Sequence, residues 1–500
     1  MFAVGVLATI LFFLQFLLKY VIYPVYISPL AKIPNAHFTA PVLPIWIWWK
    51  RRCGTEIRTI HALHQRHGTI VRLGPNELSV NSVRGLKIIY KGAFDKDRWY
   101  RDVLKHFGME NLVSMMEYTP HSLRRNILAN VYSKSYLQSS RDFRITSSSI
   151  VLDKLLPALE ELAQSKTPVN VLSLMQAASM DFMSGYLFGA ANGTDFIRHE
   201  EYRNHWLGVY SIFKRQDPRD RLWTEIERFC FSLCEKTGAW LHAENGEREN
   251  PIHGIETDPV VYKRLSEGLQ SMDLGFTPMR QVIASEMLSH LLASVEKSGV
   301  TLTYLIWQMS RDRSLQARLR QELLGLLPAL SYPSQPLGSK DDDSSRLPPT
   351  RDINALPLLN AIVQETLRLH CAVPGLQRRV TPSTIDTTLE GYEGIPGGVK
   401  VSSSAYILHR NPDAFPDPER WLPERWLEPT EDMRRFFWAF SNGERMCLGK
   451  DFALQEIKLV VAAIYTNYTT TIVDDEGIEQ EDSNLGSPRS NKLIIEVRPA

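Results

Sequence analysis

Five cysteines occur among the 500 residues, and the frame around Cys447 sets it apart from the other four. In FSNGERMCLGK (440–450), Cys447 lies two residues after Arg445 and two before Gly449, with Phe440 and Gly443 upstream. Glycines at 443 and 449 would let the main chain approach a large flat group that a side chain would hold off. Arg445 suits a carboxylate, and Phe440 offers a ring to pack on. An apolar, helix-like run follows, DFALQEIKLVVAAIY, and the first N–H groups of such a helix favour a thiolate. One thiolate is too few for zinc or an iron–sulfur cluster, which take several ligands, but it is enough for an axial metal ligand. Cys230 and Cys234 share a helix face in FCFSLCEK and read as reduced core cysteines.

Phe440, Gly443, Arg445, Cys447 and Gly449 together fill F-x-x-G-x-R-x-C-x-G, which resembles the haem-binding signature of the cytochromes P-450. Lys450 stands where that signature has a small residue. Other stretches fall in the family's order. ETLR (365–368) resembles its E-x-x-R, and Glu365 and Arg368, three apart on a helix, can pair. PERW (423–426) resembles P-E-R-F, which implies that Arg425 joins Glu365 and Arg368 in a structural charged cluster. HSLRR (121–125) resembles W-x-x-x-R with His121 in place of tryptophan. That implies a haem propionate on Arg125, with His121 as a second donor. In QRRVTP, Arg379 resembles the strand arginine for the other propionate, and Arg378 is a close rival.

The resemblance covers essentially the whole chain after its first apolar segment. It implies haem b held by the Cys447 thiolate between a long central helix and the helix of the cysteine loop. The reaction it implies puts one oxygen atom of O2 into a lipophilic small molecule and releases the other as water. RLGPNELSVNS (72–82) and NPDAFPDPERWLPERWL (411–427) look like fungal microsomal members, many of which oxidise terpenoids, polyketides or alkaloids in secondary metabolism. The chain has no G-x-G-x-x-G and no P-loop, so electrons must come from another protein. The resemblance implies NADPH–cytochrome P-450 reductase.

One stretch departs from the family. Its A-G-x-[D/E]-T-[T/S] aligns with ASVEKS (293–298), where Ser294 replaces glycine, Glu296 keeps the acid and Lys297 stands at the threonine position. Glu296 and Ser298 are the candidate catalytic proton relay. On one reading Ser298 or a water takes over from the threonine while Lys297 pairs with a nearby acid. On the other, proton delivery is altered and the chain is a haem-thiolate dehydratase or isomerase. A non-catalytic haem protein that binds a ligand is a third possibility.

These residues need a mainly helical body with a small β part. Apolar spacing from 278 to 310 predicts a helix on the order of 45 Å, long enough to cross a domain. TIVRLGPNELSVNS (69–82) predicts a hairpin, strand-like material returns at 378–407, and 331–352 reads as an exposed polar loop. The domain reading is an anchor at 1–27, a Pro-containing linker at 28–40 and a catalytic domain at 41–500. The run FAVGVLATILFFLQFLL is long enough to span a membrane, and the basic residues after it (Lys19, Lys32, Lys50, Arg51, Arg52) place the body in the cytosol. This predicts a single-pass protein of the endoplasmic reticulum membrane. The sequons at Asn192 and Asn467 would then face the wrong side. A net charge of +1 with no basic block argues against a nucleic-acid partner.

Overall fold

The computed structural model describes residues 2–92, 94–215, 224–243, 257–272, 278–333 and 346–500. Among the described residues helices dominate and the strands form three small sheets, so the mainly α body with a small β part is what folds. Residues 334–345, most of the segment expected to be an exposed loop, lie outside the described residues.

The long helix runs from Met279 to Ser310, 32 residues, or about 48 Å at the α-helical rise. Apolar and small residues surround it on nearly all sides, so it is buried over most of its length instead of showing one wet face. It packs closely on the helix Val171–Phe188, which is also buried almost throughout. A side chain at Gly299 would begin 2.9 Å from the main chain of Gln176, so glycine is what lets these two helices meet. One turn earlier, the Ser294 hydroxyl donates to the carbonyl of Ser179 at 3.1 Å. The helix Lys450–Asn467, which starts just after the cysteine loop, covers another side of the long helix.

The largest sheet sets the other wall. Its strands run in the order Ile70–Gly74, Glu77–Val80, Lys400–Ser404, Leu376–Val380, Asp95–Lys96. The first pair is the expected hairpin. At the far edge, Lys96 stands opposite Arg379 in antiparallel register, which brings two cations to one end of the sheet.

Residues 4–27 form an apolar helical segment of mean hydropathy 2.0, none of it buried, long enough to cross a membrane. The segment expected to be a linker is packed onto the body: Leu30, Ile33 and Ala40 are fully buried. Arg72, itself buried, donates to the carbonyl of Pro24 at 2.9 Å and, through its backbone N–H, to that of Pro34 at 2.8 Å. In the helix Ile45–Arg52, Ile47 is in the core, whereas Trp48 and Trp49 point outward.

Candidate active site

The cysteine loop closes on itself when the Cys447 N–H donates to the carbonyl of Phe440 at 3.0 Å. Gly443 has φ +74°, and a side chain there would begin 2.1 Å from the carbonyl oxygen of Tyr90. Its need for glycine therefore comes from protein packing, not from the approach of a flat group as the sequence implied. Gly449 does fit that second reason: no protein atom lies within 4 Å of where its side chain would start.

The Cys447 side chain is exposed, yet burial is the largest influence on its thiol and raises the pKa. An accessible thiol that protein still surrounds closely enough to raise its pKa is recessed in the fold. The Gly449 N–H and the charges of Lys297, Arg125 and Lys450 oppose the rise and favour thiolate. Arg125 reaches the loop directly, donating to the carbonyl of Met446 at 2.8 Å.

Beside the thiol, five basic side chains converge: Lys96, His121, Arg125, Arg379 and Arg445. His121 and Arg379 are buried, and so is Lys96. Burial, then the charges of Lys96, Arg445, Arg125 and Arg379, push His121 down to about 3. Burial and Arg379 lower Arg445 to about 10, and burial with the neighbouring arginines holds Lys96 well below the usual lysine value. Arg445 donates to the carbonyls of Met115 and Met116 at 3.0 and 2.6 Å, while its Nε is buried with no partner. Lys96 donates to the carbonyls of Leu112 and Val113 at 3.1 and 2.7 Å. Few carboxylates answer these cations. Asp95 lies 3.8 Å from Arg445, and Glu286 is shared with Arg124 and His290.

A concentration of buried positive charge is costly unless an anion joins it. Two carboxylates on a flat group bound at Cys447 would satisfy it, so the residues present fit haem and its two propionates. Arg378 and Arg379 are separated by the strand's alternation. Arg379 turns into the cluster beneath the Tyr90 ring, 5.0 Å away, and Arg378 turns to Glu56 at 3.5 Å. Lys96 is the member that sequence reading missed. The dipeptide Asp95-Lys96 carries no motif, and only strand pairing puts it opposite Arg379.

The ASVEKS stretch lies on the long helix, and the charge of its Lys297 acts on the Cys447 thiol. Glu296 and Ser298 are both buried. Ser298 turns toward Glu456 on the helix Lys450–Asn467. Burial raises that carboxyl to about 8, against the opposing pull of the Ser179 and Ser298 hydroxyls. Glu456 is thus held largely protonated near neutral pH.

The charged cluster lies apart from the thiol. Arg368 makes a two-pronged pair with Glu365, both bonds 2.8 Å and both side chains fully buried. Arg425 Nε donates to the same carboxylate at 3.1 Å, as do Trp426 Nε1 and the Leu422 N–H, each at 2.8 Å. Arg368 also ties down the carbonyls of His409, Pro418 and Arg420, fixing the segment that leads to the cysteine loop.

A model of the cytochrome P-450 family matches residues 37–495. The chain is 27% identical to the cytochrome P-450 monooxygenase tazI of Aspergillus terreus over 95% of each chain. It is 24% identical to the cytochrome P-450 monooxygenase orf2 of Aspergillus niger, also over 95% of each. Its identity to the fusicoccadiene C-8 hydroxylase of Phomopsis amygdali is 24%, over 90% of this chain and 87% of that one. The match runs through the cysteine loop, the cation cluster and the long helix alike, and by it this protein belongs to the cytochrome P-450 family of haem-thiolate monooxygenases.

Proposed function

We propose that the protein is a membrane-anchored monooxygenase that oxidises a lipophilic small molecule in fungal secondary metabolism. The observation that carries this is an accessible thiol beside Lys96, Arg125, Arg379 and Arg445, a group of cations that few carboxylates answer. Haem b bound through Cys447 would supply reductive activation of dioxygen, one atom entering the substrate and one leaving as water. Arg125, Arg379 and Arg445, joined by His121 and Lys96, would hold its propionates by charge-assisted bonds. Phe440 packs at the edge of the main core beside the loop. Glu296 and Ser298 would relay protons from the long helix, with protonated Glu456 behind Ser298 as their source. Glu365, Arg368 and Arg425 hold the approach to the cysteine loop and touch none of the reacting atoms.

The names of the relatives support the pathway class, since one of them hydroxylates a fusicoccadiene. The apolar segment 4–27 supports a single span in the endoplasmic reticulum membrane with the catalytic domain in the cytosol. Electrons would come from NADPH–cytochrome P-450 reductase. The test is reconstitution with that reductase, NADPH and candidate terpenoids, polyketides and alkaloids. Oxygen-dependent product is expected, and Cys447→Ser should abolish both product and the red-shifted ferrous–CO Soret band. Retention of that band in Cys447→Ser refutes the assignment.

A further inference from the structure

The helix Ile45–Arg52 turns its apolar side outward. Ile45, Trp48, Trp49 and Arg52 follow at intervals of three and four residues, so they share one face, and all four are exposed. Trp48 and Trp49 are 61% and 64% open, and Ile45 is 59%. The opposite side is the occupied one: Ile47 is in the core, and Arg51 pairs with Glu56 and Glu77. A surface helix of a soluble domain shows the reverse pattern, with its apolar side in and its charged side out. Leu43, just before the helix, is exposed as well.

The guanidinium of Arg72 fixes where this face stands. Its Nη1 donates to the carbonyl of Pro24, near the end of the apolar segment 4–27, at 2.9 Å. Its Nη2 donates to the carbonyl of Pro41, four residues before the helix, at 3.4 Å. Further bonds to the carbonyls of Gly74 and Pro75 hold the same buried side chain at the hairpin turn. The end of the apolar segment and the approach to the helix are thus within reach of one side chain. Charge points the same way. The first 55 residues hold five basic side chains (Lys19, Lys32, Lys50, Arg51 and Arg52) and no acidic one. Indole rings backed by cations suit the boundary between acyl chains and anionic headgroups.

We propose that the face formed by Ile45, Trp48, Trp49 and Arg52 lies in the interface of the bilayer that segment 4–27 spans, with an anionic lipid surface as its partner. The idea rests on the span reading given above. Trp48 and Trp49 sit where the acyl chains meet the headgroups, and Arg52 reaches the phosphates. With Arg72 joining the two contacts, the folded body is seated on the membrane and does not hang at a distance from it.

All eleven tryptophans follow Ile45, so tryptophan emission reports on the body and is blind to the span. The full-length holoprotein is reconstituted in vesicles of phosphatidylcholine and phosphatidylserine, with or without bromine on the acyl chains near the headgroups. Brominated lipid is expected to quench wild type. Trp48→Phe/Trp49→Phe, which keeps the apolar face, is expected to lose most of that quenching. Ile45→Glu keeps both indoles but breaks the face, and is expected to lose quenching and shift its emission to longer wavelength. The ferrous–CO band checks folding in each, and if Ile45→Glu fails that check, wild type against the two-phenylalanine variant decides. Equal quenching in those two, or none in either, overturns the proposal. Extraction with alkaline carbonate separates the two readings: wild type that washes off the vesicles refutes the span and the proposal with it, whereas wild type that stays but is not quenched refutes the proposal alone. If unquenched wild type binds the reductase more tightly than Ile45→Glu does, the face belongs to a protein partner and the lipid assignment falls.

Discussion

Replacing Glu365 by alanine removes one carboxylate from beneath five donors. It takes both prongs of Arg368, the Nε of Arg425, the indole of Trp426 and the Leu422 N–H, and it is fully buried. Without it, Arg368 keeps three main-chain carbonyls and the face of Phe415 for a charge that has no access to water. Breaking a buried pair from one side costs roughly 3–5 kcal/mol, a large share of the roughly 5–15 kcal/mol that holds a typical domain together. The segment 409–426 is held through the same arginine, so the cysteine loop should loosen as stability falls. Urea unfolding followed by tryptophan fluorescence reads the first effect, and the fraction of protein showing the ferrous–CO band reads the second. Glu431→Ala is the control: it breaks an exposed pair with Arg435, 3.0 Å apart, and should cost under about 0.5 kcal/mol. Changing Glu365 and Arg368 together to leucine should cost less than Glu365→Ala, because no charge is then stranded. If Glu365→Ala unfolds within about 0.5 kcal/mol of the Glu431→Ala control, the cluster does not hold this segment as described.

Three other perturbations separate the parts of the site. Gly443→Ala should cost at least about 1–2 kcal/mol from φ alone, plus displacement of Tyr90, whereas Gly449→Ala should leave the urea unfolding free energy of the haem-free protein within about 0.5 kcal/mol of wild type. Equal midpoints for the two would show that the Tyr90 contact does not matter. Lys96→Met should weaken haem retention about 10- to 100-fold, the worth of one charge-assisted bond, measured by haem transfer to apomyoglobin. An unchanged transfer rate removes Lys96 from the site. Acid should destabilise the protein through its buried neutral histidines. Burial pushes His409 and His370 down to about 3 and His64 to about 4. His409 accepts the Trp438 N–H on Nε2 at 2.7 Å and lies 2.8 Å from the Arg368 carbonyl through Nδ1, an arrangement that suits the neutral ring. Because the folded values lie below the unfolded one, the unfolded chain takes up protons first. Stability is therefore full above about pH 6.5 and falls by about 1.4 kcal/mol per pH unit for each such histidine below it, down to the folded values. A urea midpoint that stays level from pH 7.5 to pH 5 contradicts this.

Much of the site was legible because its chemistry is local in sequence. The cysteine loop spans eleven residues, the Glu365–Arg368 pair needs one helical turn, and the long helix shows its period directly. Arg378 and Arg379 could not be told apart by order alone, since alternation along a strand decides only that they differ. The sheet register then turned Arg379 inward and Arg378 to Glu56. Gly443 was legible as a glycine but not in its reason, because Tyr90 lies hundreds of residues earlier in the chain. The burial of Leu30 and Ile33 in the linker segment 28–40 was not legible, because the surface that receives them lies elsewhere in the chain.

The amino-acid sequence by itself determined the frame around Cys447, the helical class and the apolar N-terminal segment, all properties of neighbouring residues. Only the tertiary structure decided which basic groups gather. Charge repulsion and burial depend on distances through space. Lys96, Arg125, Arg379 and Arg445 are scattered over 350 positions and become one site only when sheet edge, helix and loop are brought together.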